Sequence, residues 1–299
     1  MKKIIVFFLT VLLMSICCLP CDGSAANIFG SVFVPNTDEQ AFALVPDDGE
    51  SGKAVTVSAD GSMSDLLLPD EAKAVSDAVA VKYSLGKKAK ILIYHSHTTE
   101  AYRQEGDDTY IEESSWRTTD KSKSVVKVGE ELKRNLEDLG YSVIHDTTNY
   151  EPPALATSYS RSEQGMMSYK KKYPDIEMFI DLHRDAKGDY DTGDYVEIDG
   201  KKCARVMFVV GKGTRKSDAG KIKPDWKTNL KLASKLTEEL RTYNTKLARD
   251  VRIKTGRYNQ AFPEKCVLIE IGHNMNTLQE AINSTKYVAD AISRVLPIK

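Results

Sequence analysis

Four side chains suited to metal-dependent hydrolysis follow, or end, apolar segments that have the length of buried strands. His97 lies three residues after the segment Lys90–Tyr94 (KILIY), and Glu100 follows in the same loop. His183 comes directly after the segment IEMFIDL, and Glu270 lies within VLIEI. Because the carboxyl ends of parallel strands form the ligand crevice of an open sheet, we expect these side chains to lie close together.

Two imidazoles and one carboxylate are a standard ligand set for a catalytic zinc ion that keeps one position open for water. The metal lowers the pKa of this water, so that hydroxide is available near neutral pH. A further carboxylate, not bound to the metal, is then needed to accept the water proton and to pass it to the leaving amine. Glu270 is the candidate for this base, because a glutamate within an apolar strand is costly to bury without a function.

Two neighbours of His183 are candidates for supporting roles. Asp181 is a candidate acceptor that would orient the His183 ring, and Arg184 is a candidate for holding a substrate carbonyl or carboxylate. Other catalytic patterns are missing from the sequence, which has no glycine-rich phosphate loop, no GxSxG and no HExxH. Cys203 and Cys266 indicate buried packing positions or a single disulfide, and not a zinc cluster.

The elements that must position these residues alternate between strands and helices. Strands are predicted for residues 90–94, 141–144, 176–182, 204–210 and 267–271, and helices for residues 122–139, 160–173, 229–247 and 277–295. This alternation predicts an α/β fold with a mainly parallel sheet flanked by helices on both faces.

Charge and hydropathy exclude several functional classes. The 299 residues include 42 Lys and Arg and 43 Asp and Glu, so the net charge is −1. A nucleic-acid-binding protein needs a basic surface, which this balance does not favour. Only the first twenty residues have the hydropathy of a membrane segment, which excludes a protein with several membrane spans.

Residues 1–26 have the layout of an export signal. A lysine pair precedes the apolar residues 4–19, and the small residues 24–26 offer a cleavage site. We therefore expect an exported protein, with residues 1–26 acting as a cleaved signal peptide or as an uncleaved membrane anchor. Residues 27–88 are rich in Asp, Gly and Ser and are predicted to be a tether with little regular structure. Residues 89–299 are expected to form a single catalytic domain.

Several motifs in this order resemble the stage II sporulation protein P family of exported cell-wall hydrolases. They are HSHTTEAY, RTTD, VVKVGEEL, DLHRDA, IDGKKCARVMFVVG, YNQ and LIEIG, and they extend from about residue 90 to the carboxyl end. The family is similar in fold to the zinc N-acetylmuramoyl-L-alanine amidases, which bind zinc through His, Glu and His and use a catalytic Glu. The resemblance therefore implies an amidase-like catalytic domain and a Zn²⁺ cofactor.

The resemblance also implies roles for individual residues. The first ligand histidine falls on the HSH motif, where His97 is favoured over His95, and the second falls on His183. The catalytic glutamate falls on Glu270. The carboxylate ligand is assigned to Glu100 within the histidine motif, with Asp120 of RTTD as the alternative. Where the family is expected to have an asparagine, this chain has a serine at position 124, a departure that concerns the entry into the following helix.

The implied reaction is hydrolysis of the amide between N-acetylmuramic acid and L-alanine of peptidoglycan stem peptides. The family is also associated with cleavage of peptide cross-links, which adds a D,D-endopeptidase activity as an expectation. The biological setting implied is forespore engulfment at the sporulation septum, with a lytic transglycosylase of the stage II sporulation protein D type as partner. Two alternatives remain at this point: a non-catalytic peptidoglycan-binding scaffold and a pure endopeptidase.

Overall fold

The computed structural model describes residues 53–55, 82–186 and 193–299. The expected signal segment 1–26 and most of the expected tether 27–88 lie outside the described residues. The described strands are β1 (Lys53–Val55), β2 (Lys90–Tyr94), β3 (Ser142–His145), β4 (Ile176–Asp185), β5 (Tyr195–Ile198), β6 (Lys201–Ala204), β7 (Val206–Gly211), β8 (Val251–Lys254) and β9 (Lys265–His273). The described α-helices are α1 (Val125–Asp138), α2 (Ser158–Lys172), α3 (Trp226–Tyr243) and α4 (Leu278–Val295).

Seven of these strands form one sheet in the order β1-β8-β7-β9-β4-β2-β3. The neighbours β2 and β3, β2 and β4, β4 and β9, and β7 and β8 are parallel. The β7–β9 and β1–β8 pairs are antiparallel. Strands β5 and β6 form a separate antiparallel hairpin. The sheet is therefore mainly parallel, and its four strands β9, β4, β2 and β3 run in one direction.

Helices cover both faces of the sheet, which confirms the predicted fold class. One face packs against α1, α3 and α4, whose apolar residues share the largest hydrophobic cluster with side chains such as Ile180 and Ile269. The other face carries Phe179 and Cys266, which pack with Met166 of α2. Because side chains alternate along a strand, Asp181 and His183 lie on the same face as Phe179, and Glu270 lies on the same face as Cys266. Asp181, His183 and Glu270 thus project from the face that α2 covers.

Helix α1 is placed by residues at its two ends. The Ser124 side chain accepts a hydrogen bond from the Val126 N–H and caps the amino end, as serine does at many helix starts. Gly140 follows the carboxyl end with a φ of +87°, a conformation that favours glycine. The serine at position 124 therefore fulfils the helix-entry role.

Two described segments of the expected tether contact the folded unit. Leu85 is buried in the main core, and its N–H donates to the Pro297 carbonyl oxygen. Strand β1, within the expected tether, pairs with β8.

Cys203 and Cys266 are both buried and are not joined in a disulfide. Among the helices of the described residues, none combines the length and the apolar character needed to span a membrane.

Candidate active site

Glu100 and His183 form the centre of the site. Glu100 is fully buried, and its Oε2 lies 3.2 Å from Nδ1 of His183 while its Oε1 lies 3.4 Å from the same nitrogen. The Arg184 backbone N–H also donates to Glu100 Oε2, at 3.1 Å. The backbone of Glu100 is fixed in turn, because its carbonyl oxygen accepts from the Val125 N–H at the start of α1. The loop between β2 and α1 (residues 95–124), the start of α1 and β4 therefore meet at one residue, Glu100.

The second nitrogen of His183 is held by Asp181. Nε2 of His183 lies 2.8 Å from Asp181 Oδ1 and 2.9 Å from the Ser96 hydroxyl. Ser96 completes the arrangement, since its N–H and its hydroxyl each donate to the Asp181 carboxylate at 2.8 Å. A carboxylate that accepts from one ring nitrogen orients the other nitrogen, here Nδ1, toward Glu100.

Charge around His183 is strongly negative. Burial lowers the pKa of His183, but the carboxylates of Asp181 and Glu100 outweigh it and raise that pKa well above its usual range. Burial raises the pKa of Glu100, and His183 together with Arg184 lowers it below its ordinary value. The site therefore favours a positive charge at the position of His183 Nδ1.

His97 lies beside this pair, and one of its nitrogens has no partner among the described residues. Its ring centroid is 5.4 Å from that of His183, and its buried Nε2 atom makes no hydrogen bond. The other nitrogen, Nδ1, lies 3.3 Å from the Ser158 hydroxyl and 3.6 Å from Glu151 Oε1. Burial lowers the pKa of His97, so its ring is neutral near pH 7 and one nitrogen is available as a ligand.

Glu151 is a member of the site that sequence reasoning missed. It accepts hydrogen bonds from the Thr99 hydroxyl and from Arg117 Nη1, the latter at 2.9 Å. Burial raises the pKa of Glu151, but His97 and Arg117 lower it more, to about 2. Glu151 lies in the loop after β3, a parallel neighbour of β2, so a wider search of strand-end loops is the signal that points to it.

Glu270 faces the same space from the neighbouring strand. It lies opposite His183 in the parallel register of β4 and β9, and it is 3% exposed. Its Oε2 atom is buried without a hydrogen-bond partner among the described residues. Burial raises the pKa of Glu270 to about 8, with Asp185 and Glu100 contributing in the same direction and His183 opposing them. This carboxyl can therefore hold or release a proton near neutral pH.

Arg184 lies at the site, but its guanidinium is occupied by the loop that follows Glu100. Nε donates to the Ala101 carbonyl at 2.8 Å, and Nη2 donates to the Trp116 carbonyl at 2.8 Å. The side chain is 2% exposed. These contacts indicate that Arg184 positions the loop. The sequence had suggested a different role, contact with the substrate.

His95 and Asp120, the alternatives to His97 and Glu100 as metal ligands, lie outside the cluster around His183. Nδ1 of His95 lies 2.8 Å from the Leu182 carbonyl oxygen, and its Nε2 lies 2.8 Å from Nε2 of His145. The rings of His95 and His145 both pack against Gly129 of α1, where a Cβ atom would lie within 2.8 Å of each Nε2. Asp120 is exposed and accepts hydrogen bonds from the N–H and hydroxyl of Ser122. Neither residue is part of the cluster around His183.

The donor set can be tested against zinc geometry. In a tetrahedral site with bonds of about 2.0–2.1 Å, two donor atoms lie roughly 3.3 Å apart and two imidazole centroids lie roughly 5 Å apart. The Glu100–His183 donor separation and the His97–His183 ring separation both fit these values. In residues 53–55, 82–186 and 193–299 as they stand, no three histidine, cysteine or acidic side chains are grouped as a complete ligand set. Binding an ion would require the unpartnered Nε2 of His97 to join the pair.

Comparison with known proteins identifies the sequence relatives of the chain. A family model described as stage II sporulation protein P matches residues 39–293. The stage II sporulation protein P of Bacillus subtilis (strain 168) is 28% identical over 229 residues, which is 72% of this chain and 53% of that protein. The chain thus spans about half the length of the curated relative that it matches.

Comparison with solved structures gives distant similarities. The N-acetylmuramyl-L-alanine amidase Ami1 of Mycobacterium abscessus matches with a TM-score of 0.41 and 12% identity, over 69% of this chain and 98% of that chain. The CwlD amidase of Clostridioides difficile, solved in complex with the GerS lipoprotein, has a TM-score of 0.38 and 16% identity, over 69% and 99% of the two chains. The catalytic domain of CwlV, an N-acetylmuramoyl-L-alanine amidase of Bacillus (Paenibacillus) polymyxa, has a TM-score of 0.39 and 12% identity, over 71% and 99%.

Proposed function

The chain belongs to the stage II sporulation protein P family, and from this premise we propose that it is a zinc-dependent peptidoglycan hydrolase. The proposed reaction is cleavage of the amide between N-acetylmuramic acid and L-alanine of the stem peptide. The observation that carries the proposal is the buried cluster of His97, Glu100 and His183 with Glu270 on the neighbouring strand. His97 Nδ1 lies 3.6 Å from Glu151 and His183 Nε2 lies 2.8 Å from Asp181, and a carboxylate at one ring nitrogen is typical of metal-binding histidines.

Zinc, when bound by His97, Glu100 and His183, would act as a Lewis acid toward the scissile carbonyl and the attacking water. Asp181 and Glu151 hold the ligand rings, and Arg117 neutralises part of the charge of Glu151. Asp181 and Glu100, whose charges raise the pKa of His183 in the metal-free chain, would also favour a divalent cation at this ring.

Glu270 has the position and the proton affinity of a general base. Its carboxylate accepts the proton of the attacking water and then transfers it to the nitrogen of the leaving L-alanine. A group with a pKa near 8 is suited to both steps, because neither its protonated nor its ionised form is strongly disfavoured near neutral pH. The unpartnered Oε2 leaves one oxygen available to receive that proton.

Further parts of the proposal depend on family membership. We propose an extracytoplasmic location, with residues 1–26 as signal peptide or anchor, and a role in wall hydrolysis during engulfment. A lytic transglycosylase of the stage II sporulation protein D type is the proposed partner, as family membership implies. A D,D-endopeptidase activity is retained as a second candidate activity of the same site.

One experiment distinguishes a hydrolase from a non-catalytic scaffold that only binds peptidoglycan. Residues 27–299 and their His183→Ala variant, each in buffer that contains zinc, are incubated with isolated peptidoglycan, and the loss of turbidity is followed while bound protein is measured by sedimentation. The proposal predicts clearing by the native sequence only, with binding by both. Binding by both without clearing by either would favour the scaffold.

A further inference from the structure

The two proposed ligand histidines are held unequally by polar contacts. His183 has a carboxylate at each ring nitrogen, 3.2 Å from Nδ1 and 2.8 Å from Nε2. The polar contacts of His97 within the described part of the chain are longer and lie at Nδ1, 3.3 Å from the Ser158 hydroxyl and 3.6 Å from Glu151 Oε1. Its Nε2 has no hydrogen-bond partner among the described residues. The orientation of the His97 ring therefore depends on the side chains that pack against it.

Tyr159, in the first turn of α2, provides an aromatic surface for the His97 ring. The two rings meet edge to face, with centroids 5.4 Å apart and planes at 86°. Edge-to-face pairs are favourable at centroid separations of about 4.5–7 Å. The Tyr159 ring also lies nearly parallel to the His183 ring, with centroids 6.4 Å apart and planes at 18°. One tyrosine therefore borders both of the proposed ligand rings.

The ring of Tyr159, and not its hydroxyl, makes these contacts. The hydroxyl oxygen is buried and has no hydrogen-bond partner among the described residues. The ring packs against an apolar cluster formed by Met207, Val209, Tyr258 and Leu268. Within this cluster, the Tyr258 ring meets the Tyr159 ring edge-on at 5.7 Å. The sheet and Tyr258 thus support the ring that contacts the histidines.

The YNQ segment (residues 258–260), which has no part in the mechanism above, also fixes the backbone of Tyr159. Nδ2 of Asn259 donates to the Tyr159 carbonyl at 3.1 Å and to the Ser162 hydroxyl at 2.9 Å. Gln260 ties the segment to β7 through a backbone carbonyl at 2.8 Å and a backbone N–H at 2.9 Å. The YNQ segment therefore connects the first turn of α2 to the sheet.

The backbone of the YNQ segment has an uncommon conformation. Tyr258 and Asn259 both have positive φ, +47° and +53°. Asparagine is several-fold enriched in this region, but a positive φ is unusual for a tyrosine. Such conformations persist where surrounding contacts over-determine them, and they cluster at functional sites. Tertiary contacts thus fix this segment in the conformation that places Tyr258 and Asn259 against Tyr159.

From the weak polar contacts of His97 and its packing on a supported ring, we propose that Tyr159 is a positioning residue that holds the His97 ring toward His183. The YNQ segment in turn holds Tyr159. The inference rests on the proposed function, because His97 and His183 are ligands of the proposed metal site. A role in packing requires the ring of Tyr159 and does not require its hydroxyl.

Three variants of residues 27–299 separate this role from general packing. Tyr159→Phe keeps the ring, and Tyr159→Leu removes it. Tyr169→Leu is the matched control, because it removes a ring in the last turn of the same helix, where Tyr169 stacks on Tyr173 at 6.5 Å. The zinc dissociation constant is measured by competition with a chelator, and the absorption spectrum of bound Co²⁺ reports the ligand geometry.

We expect Tyr159→Leu to weaken zinc binding about 10- to 100-fold, the usual effect of losing a residue that orients a ligand histidine, and to alter the Co²⁺ spectrum. Tyr159→Phe should restore the native affinity and spectrum, and Tyr169→Leu should leave both unchanged. Asn259→Gly tolerates positive φ but lacks the amide, so it should weaken zinc binding in the same direction. Native zinc affinity in Tyr159→Leu would overturn the inference for a chain that binds zinc.

Histidine side-chain NMR signals of the zinc-free chain separate failure of this inference from failure of the proposed function. The chain has five histidines, so His95, His145 and His273 serve as internal references. We expect Tyr159→Leu to broaden or double the His97 signal, which reports more than one ring orientation, and Tyr159→Phe to keep one sharp signal.

A native chain that binds no zinc would refute the proposed function, while a broadened His97 signal in Tyr159→Leu would still support the positioning role. A single sharp His97 signal in Tyr159→Leu would overturn the inference even if the chain hydrolyses peptidoglycan.

Discussion

His183 and Glu270 lie directly opposite each other on the adjacent parallel strands β4 and β9. The pairing places an imidazole that is bonded to two carboxylates next to a carboxyl group whose Oε2 has no partner among the described residues. Strand register, and not loop conformation, fixes this relationship. The two residues are therefore candidates for separate roles in hydrolysis, His183 as a metal ligand and Glu270 as the base.

The Glu270→Gln variant is expected to lose hydrolysis and to retain zinc and peptidoglycan binding. The amide keeps the shape of the side chain but cannot accept the water proton, and loss of a general base reduces rates by about 10²- to 10⁴-fold. The rate of peptide release and the zinc content are measured for the variant and for Glu130→Gln, an exposed control on α1. A Glu270→Gln variant with native activity would show that another group is the base.

Glu100→Gln and Asp120→Asn distinguish the two candidates for the carboxylate ligand. Glu100 is buried at His183, whereas Asp120 is exposed at a turn, so we expect only Glu100→Gln to lose zinc during dialysis. Metal content is determined by mass spectrometry, and folding is checked by circular dichroism. Zinc lost from Asp120→Asn and kept by Glu100→Gln would reverse the assignment.

Glu151→Gln tests whether Glu151 positions the His97 ring. Loss of a carboxylate that orients a ligand histidine typically weakens metal affinity 10- to 100-fold. The zinc dissociation constant is measured by competition with a chelator, alongside the melting temperature, because Arg117 also loses one of its two carboxylate partners. A lowered melting temperature with unchanged zinc affinity would assign Glu151 a purely structural role.

The stability of the zinc-free chain should depend on pH through Glu270. Burial raises its pKa from 4.5 to about 8, so the folded chain binds this proton more tightly than the unfolded chain. The stabilising effect is complete below pH 4.5 and is lost as the pH rises to 8. Buried His95 and His145 have lowered pKa values and act in the opposite direction, so the comparison is made with Glu270→Gln.

In that comparison the melting temperature of Glu270→Gln should rise relative to the native sequence between pH 5 and pH 8. Both chains share His95 and His145, so their contributions cancel in the difference, which reports position 270 together with its interaction with His183. A difference that stays constant over this pH range would contradict the raised pKa of Glu270.

Much of the candidate site was predictable from strand ends. The apolar segments 90–94, 176–182 and 267–271 correspond to β2, β4 and β9, and their parallel alignment brings the predicted residues together. The direction of β7 was not predictable, because a fully buried strand is apolar throughout in either orientation. The short strands β5, β6 and β8 have too few residues for a clear alternation.

Contacts between distant segments were beyond the reach of sequence patterns. The family resemblance favoured His97 over His95 from its place in the strand–loop segment, and the structure adds that His95 contacts His145 beside Gly129. The proximity of Glu151 to His97 likewise depends on the packing of the loop after β3 against the loop after β2. Such pairs depend on tertiary packing, which local spacing does not encode.

The most direct test of the central claim is the identity of the bond that is cleaved and its dependence on zinc. Residues 27–299 are incubated with isolated peptidoglycan after chelation and after restoration of zinc, and the products are analysed by mass spectrometry. We expect stem peptides with a free L-alanine amine and glycan whose muramic acid residues carry free lactyl groups, and we expect both products only with zinc. Split cross-links with the lactyl–alanine amide intact, or the same products in the presence of chelator, would contradict it.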